Sequence, residues 1–301
     1  MTCLICGALA FDTVLEVAGH FTGAMERRPL AFQAHALRRE WGGCAGNIAY
    51  ALRQLGGEPL PLATLGSDGA RYLTRLRRLG ISTEYVRRLP HTPCAQATII
   101  TDSDGRQITA FYAGAAASVP FAPVPQRADI ALAILAPEVR AATLEHAAQL
   151  AAAGIPCVFD PGQSLGEFSG EELARLTAQA RCTVVNERES RLLCERLALD
   201  AAALAARCGV LCVTLGARGC DVWERAGQGS ARCTHVPGEP ATTVLDPTGC
   251  GDAWRGALLY GLERGWTPTR CAQLGNRLGA LAACSRGAQH WRLPAGWRAE
   301  L

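Results

Sequence analysis

The sequence predicts an α/β protein built on a largely parallel sheet with helices on both faces. Short apolar runs recur at 3–7, 60–65, 130–135, 156–160, 183–185 and 210–214. Each is continuous rather than alternating, which is the pattern of a strand covered on both sides. Helical stretches at 46–55, 70–79, 138–153, 172–180 and 188–197 separate them, as expected of parallel strands joined by crossovers. The 301 residues suffice for one such core, because a chain of ~300 residues buries ~75% of the surface it exposes when unfolded.

Taken in order, the first run carries a C-x-x-C at Cys3 and Cys6. Positions three apart in a strand face opposite sides, so the two sulfurs cannot share a metal. The segment 13–39 reads as irregular and polar-mixed. Two half-polar runs, 96–101 and 107–112, flank the turn sequence Asp102-Ser-Asp-Gly105 and predict an antiparallel hairpin at the periphery. Together 13–39 and 94–113 are expected to form a small second layer, such as a lid. Further short strands are expected between 219 and 245, followed by helices over 251–263 and 268–285. Residues 1–301 read as a single domain.

Composition narrows the chemistry. The 30 basic and 27 acidic residues leave a net charge of +3, and all 30 cations are arginine. Without lysine there is no Walker-type phosphate loop, no Schiff base and no lysine-anchored protein-kinase site. The arginines are scattered, with no basic stripe interleaved with aromatics, which argues against a nucleic-acid partner. Fourteen cysteines in a chain that is 49% hydrophobic read as small buried hydrophobes in a reducing cytoplasm. No apolar run approaches the ~20 residues of a membrane span, and the start lacks a basic leader. The six histidines are dispersed and form no metal-ligand spacing.

Asp246-Pro-Thr-Gly-Cys-Gly-Asp252 is the strongest local signal, because two glycines precede a helical run. Helix N-termini carry unpaired N–H groups and the positive end of the dipole, so a glycine-rich approach cradles phosphate without lysine. Asp252 in the first turn suits general-base work on an attacking alcohol, or equally the capping of an ordinary turn. In Gly42-Gly-Cys-Ala-Gly-Asn47 small residues permit close approach of a ligand. Asn47 there offers a donor and an acceptor for hydroxyls, or simply caps a helix. Asn186-Glu-Arg-Glu189 follows a strand at the carboxyl edge of the sheet. Its amide and carboxylate can hold hydrated Mg²⁺, or the segment is a charged helix start. Asp12 lies just past the first strand. Gly216-Ala-Arg-Gly219 either bends round a nucleotide or turns a hairpin. Gly7-Ala-Leu-Ala-Phe-Asp12 is not G-x-G-x-x-G, which removes the main support for a dinucleotide fold.

In this order and spacing the motifs resemble the signatures of the ribokinase-like, or phosphofructokinase-B, family of sugar and nucleoside kinases. Gly42 to Gly56 resembles the N-terminal signature, Asn186-Glu-Arg-Glu189 the N-x-x-E motif, and Asp246 to Asp252 the C-terminal signature. Pro247 and Cys250 depart from its commoner Thr and Ala. The resemblance implies a three-layer α/β/α fold with a mostly parallel central sheet and a small β-lid. It implies Asp252 as catalytic base and Gly249, Cys250 and Gly251 as the anion hole. Asp12, Gly42, Gly43 and Asn47 would bind substrate, and Thr214, Gly216, Gly219 and Asn276 would line the ATP site. Asn186 and Glu189 would order Mg²⁺ largely through water, with K⁺ as a further cofactor. The expected reaction is ATP-dependent phosphorylation of a nucleoside 5′-hydroxyl, adenosine first, with a free sugar such as ribose or fructose as the alternative acceptor. A non-catalytic nucleoside or sugar sensor is the remote alternative, and a homodimer through the lid the expected assembly. Phe11, Phe21 and Phe111 are candidates to stack on a base, or to pack the core and lid.

Overall fold

The computed structural model describes residues 2–21, 31–227 and 229–297, so residues 22–30 of the expected lid lie outside the described residues. Along the chain run β1 (Thr2–Cys6), β2 (Ala10–Val17), β3 (Ala34–Gly42), α1 (Cys44–Gln54), β4 (Glu58–Leu65), α2 (Ala70–Arg78) and β5 (Val86–Arg88). Then come β6 (Ala95–Thr101), β7 (Gln107–Tyr112), β8 (Ile130–Leu135), α3 (Arg140–Ala152), β9 (Cys157–Phe159), α4 (Gly170–Gln179), β10 (Cys182–Asn186) and α5 (Glu187–Leu197). The remainder is α6 (Ala201–Cys208), β11 (Val210–Thr214), β12 (Gly219–Gly227), β13 (Ser230–Pro237), α7 (Cys250–Glu263) and α8 (Pro268–Ala283).

Nine strands form the main sheet in the order β13-β12-β11-β10-β9-β8-β1-β4-β5. From β11 to β5 every pairing is parallel, and β12 and β13 add an antiparallel edge. Side chains alternate between two cores. Cys3 and Ile5 pack with α1, α2, α7 and α8, whereas Leu4 and Cys6 pack with α3, α4, α5 and α6. The C-x-x-C sulfurs therefore sit in opposite layers, and all fourteen cysteines are free. Pro59 and Pro61 are tolerated inside β4 because of strand length. Ala63 donates its N–H to Tyr85 on the β5 side. Pro59 and Pro61 share that orientation, but β5 pairs only with residues 63–65, so no ladder partner is lost.

A second, four-stranded sheet has the order β3-β2-β6-β7. Its hairpin turn is held by Asp102, whose carboxylate accepts from the amides of Asp104 (2.9 Å), Arg106 (2.9 Å) and Phe21 (3.0 Å). The reading of 13–39 as irregular is corrected, since β2 and β3 pair along Ala10–Gly42 to Val17–Ala34. Six consecutive residues of β2 are half-buried, so the segment shows neither the alternation nor the continuous apolarity that marks a strand. The reading also passed over β5 and α6, both short. Among the described residues no helix is long and apolar enough to cross a membrane.

Candidate active site

The chain leaves β1 for β4 on one side and later returns to β8 on the other, so β1 and β8 flank the point where the sheet order reverses. Ligands of open α/β sheets bind outside the carboxyl ends of the strands at such a point. Asp12, Glu138, Asp160, Asn186 and Thr214 all lie at or just beyond those ends.

Asp252 stands in the first turn of α7, which is entered through Gly249 at φ 79°. A side chain there would be strained, and its Cβ would lie 2.3 Å from that of Ala288. Asp246 ties the loop together, accepting from Thr248 and from Gly287, each at 2.9 Å. Cys250 directs its amide to the Pro247 carbonyl at 3.2 Å, whereas no protein acceptor meets the Gly249 or Gly251 amides among the described residues. The expected anion hole thus has two open amides, and its third is held within the turn.

Asp252 accepts from the Asn47 side-chain amide at 2.8 Å. Burial is the main force on its carboxyl and pushes it up to about 6, against the Asn47 hydrogen bond, the nearby Arg255 charge and the Cys44 thiol. Asn47 reaches it because α1 starts at Gly43, whose φ of 83° and Cβ position 2.4 Å from the Ala8 carbonyl exclude other residues. Asp12, across the ladder from Glu40, leans over Gly42, where a Cβ would fall 2.3 Å from its carboxyl. Burial first, then the charges of Asp252 and Glu40, push Asp12 up to about 6.

A cavity of about 720 Å³ brings Asp12, Gly43, Cys44, Asn47, Gly249 and Asp252 together. Ala97, Thr109 and Phe111 of the smaller sheet roof it, and Glu138, Gln163, Ser164 and Glu167 line its far side. Of the three phenylalanines singled out, only Phe111 lines this cavity. Phe11 packs on Trp41 and Tyr72, with ring centroids 5.7 and 5.5 Å away, and Phe21 packs on Phe32 at 5.5 Å.

Other expected residues lie outside this cavity, further along the sheet edge. Asn186 and Thr214 end neighbouring strands in register. Asn186 and Glu189 form a reciprocal capping box on α5, with bonds of 2.9 and 2.8 Å. The motif is thus a helix start, and the cap engages only one carboxylate oxygen of Glu189. Gly216 and Gly219 bracket a tight turn after β11. The Asn276 amide is engaged inside the protein, donating to Val236 (3.1 Å) and Pro237 (2.9 Å) and accepting from Trp254 (3.0 Å).

Sequence reasoning missed Arg255 and Asp160. Arg255 lies one turn after Asp252, forms a two-pronged pair with Asp160 after β9, and donates to the Gly251 carbonyl at 3.2 Å. Its charge acts on Asp252 and Glu189 together, so it links the start of α7 to the N-x-x-E motif. The available signal was Asp160-Pro-Gly at a strand's carboxyl end, the same placement that singled out Asp12.

Residues 3–295 match the pfkB family carbohydrate kinases. A nucleoside kinase of Methanocaldococcus jannaschii is 27% identical over 268 residues, covering 86% of this chain and 84% of that protein. Mouse ribokinase is 27% identical over 237 residues, covering 73% and 70%. The structure of Burkholderia thailandensis nucleoside kinase in complex with inosine aligns with a TM-score of 0.87 at 39% identity, covering 99% of this chain and 95% of that one. By its sheet order, the loop before α7 and the match over residues 3–295, the chain belongs to the pfkB family of carbohydrate kinases.

Proposed function

We propose that the protein transfers the γ-phosphoryl group of ATP to the 5′-hydroxyl of a nucleoside. The observation that carries this is Asp252, set in a cavity beside the open amides of α7 and held by an N–H from Asn47. In this reading Asp252 takes the hydroxyl proton as the oxygen attacks phosphorus, and the Gly249 and Gly251 amides meet the charge on the transferring group. Asp12, Gly43 and Asn47 orient the sugar, and Phe111 lies against the base. Thr214, Gly216 and Gly219 border the nucleotide, and Asn276 shapes that border through Val236 and Pro237 rather than by direct contact.

Mg²⁺ would draw the β- and γ-phosphates together and offset their charge. Asn186 and Glu189 fit a water-mediated site, with one carboxylate oxygen outside the capping box. A K⁺ site at Asp246 fits less well, because both its oxygens already accept backbone N–H groups. Fourteen free thiols support a reducing cytoplasm as the compartment. Leu37, Ile108 and Tyr112, 64%, 39% and 49% exposed on the smaller sheet, support a homodimer through that lid, which a monomer in sedimentation would contradict.

The likeness to nucleoside kinases favours a nucleoside acceptor, and the ribokinase likeness keeps ribose and fructose as the second reading. An ADP-release assay over adenosine, inosine, guanosine, cytidine, ribose and fructose separates them. Turnover confined to nucleosides is expected; turnover of a free sugar alone would replace the acceptor.

A further inference from the structure

An asparagine beside a general base is ambivalent, because one end of its amide supports an ionised carboxylate and the other repels it. Three further hydrogen bonds decide which end Asn47 turns to Asp252. The Tyr72 hydroxyl lies 2.7 Å from the Gly42 carbonyl. A carbonyl only accepts, so the hydroxyl's single proton is committed there. Any other polar neighbour of that oxygen has to donate, and the neighbour is the Gln289 side-chain nitrogen at 2.8 Å. The same nitrogen lies 3.0 Å from Asn47 Oδ1. That turns Asn47 oxygen-first towards Gln289 and nitrogen-first towards Asp252 Oδ2, 2.8 Å away.

Donation therefore runs outward from Gln289, through Tyr72 of α2 to the Gly42 carbonyl and through Asn47 of α1 to Asp252. All three are buried, Tyr72 to 0%, Gln289 to 1% and Asn47 to 6% exposure, so water does not take over these roles. This orientation has one cost and one steric requirement. Gln289 Oε1 is buried without a partner. Reversing the amide would give it donors, at the expense of the Gly42 carbonyl and of the N–H on Asp252. Space for the chain also depends on Gly46, where a Cβ would fall 2.0 Å from the Tyr72 hydroxyl and 3.1 Å from the Gln289 nitrogen.

We propose that Gln289, acting through Asn47 with its own orientation set by Tyr72, is a positioning residue that keeps an N–H donor on Asp252 and that carboxylate ready to accept a proton. The proposal rests on the reading of Asp252 as general base. The other charged or titratable groups acting on or beside Asp252 are Arg255 and Cys250 on α7, Asp160 after β9, Cys44 on α1 and Asp12 on β2. Tyr72 also faces Asp12 and a glutamate at 289 adds its own charge, so Gln289→Met, which leaves these groups in place, is the deciding variant.

The test is the pH dependence of nucleoside kcat/KM for the wild type, Gln289→Glu, Gln289→Met and Tyr72→Phe, with melting curves to verify folding. Gln289→Glu puts an acceptor where the chain needs a donor and turns the Asn47 oxygen to Asp252. The acid limb should then move up by about one pH unit, a roughly tenfold loss below the limb that recovers at high pH. Gln289→Met and Tyr72→Phe leave the chain undirected and should move the limb the same way by less. Asp252→Asn separates the two claims. If that variant is inactive while folded Gln289 and Tyr72 variants keep the wild-type limb, the positioning role is overturned and the base stands. If Asp252→Asn turns over normally, the base reading fails and this proposal fails with it.

Discussion

Asp252 and Asp12 meet opposed demands from one environment. Burial that excludes water from a transferring phosphoryl group also penalises both carboxylates, and each is pushed up to about 6 from its ordinary 3.8. The raised values mean that the folded chain binds these protons more tightly than the unfolded chain between about pH 4 and 6. Their ionisation therefore destabilises the fold above pH 6, and that penalty fades as pH falls. With Asp252 as the proposed base, activity is expected to run the other way, because a base has to be ionised. Asp252→Asn is expected to melt above the wild type at pH 8, with the gain shrinking towards pH 4; an unchanging difference would contradict the assigned burial. Arg255 and Asp160 show a second consequence of burial. At 6% and 2% exposure the pair is sheltered from water, and removing either partner alone should cost about 3–5 kcal/mol in chemical denaturation. An Arg255→Met variant as stable as the wild type would contradict it.

At the scale of elements, two helices begin in the same way for different ends. Ser169 and Glu172 form a capping box on α4, and Asn186 and Glu189 form one on α5. Replacing either cap by alanine should cost about 1 kcal/mol of stability. Only Asn186→Ala should also raise KM for MgATP, because only α5 starts beside Arg255 and Thr214; equal kinetics for the two variants would reduce the N-x-x-E motif here to a cap. The elements differ in legibility for physical reasons. The inner strands are apolar throughout because helices cover both faces, and they were readable. The smaller sheet was half readable: the hairpin of β6 and β7 carries a turn sequence, whereas β2 is half-buried along most of its length and lacks the periodicity that marks a strand.

Across the whole molecule, the reversal of strand order beside β1 gathers residues that are remote in sequence. Loops that cradle ligands with glycine and backbone amides leave a local trace, so Gly42 to Asn47 and Asp246 to Asp252 were legible. Side-chain partners across layers leave none. Asp160 and Arg255 are 95 residues apart, and Asn47 and Gln289 are 242 apart; only the packed fold brings them together. The same fold brings Asp252 to the open amides of α7 and to the cavity under Phe111, and the account stands on what that carboxylate does there. The most direct test is the rate of ADP release with inosine and MgATP at pH 7.5 for the wild type and Asp252→Asn, with nucleoside binding followed by calorimetry. A fall of about 10²–10⁴-fold with binding retained is the predicted result. Wild-type-like turnover by the variant would contradict it.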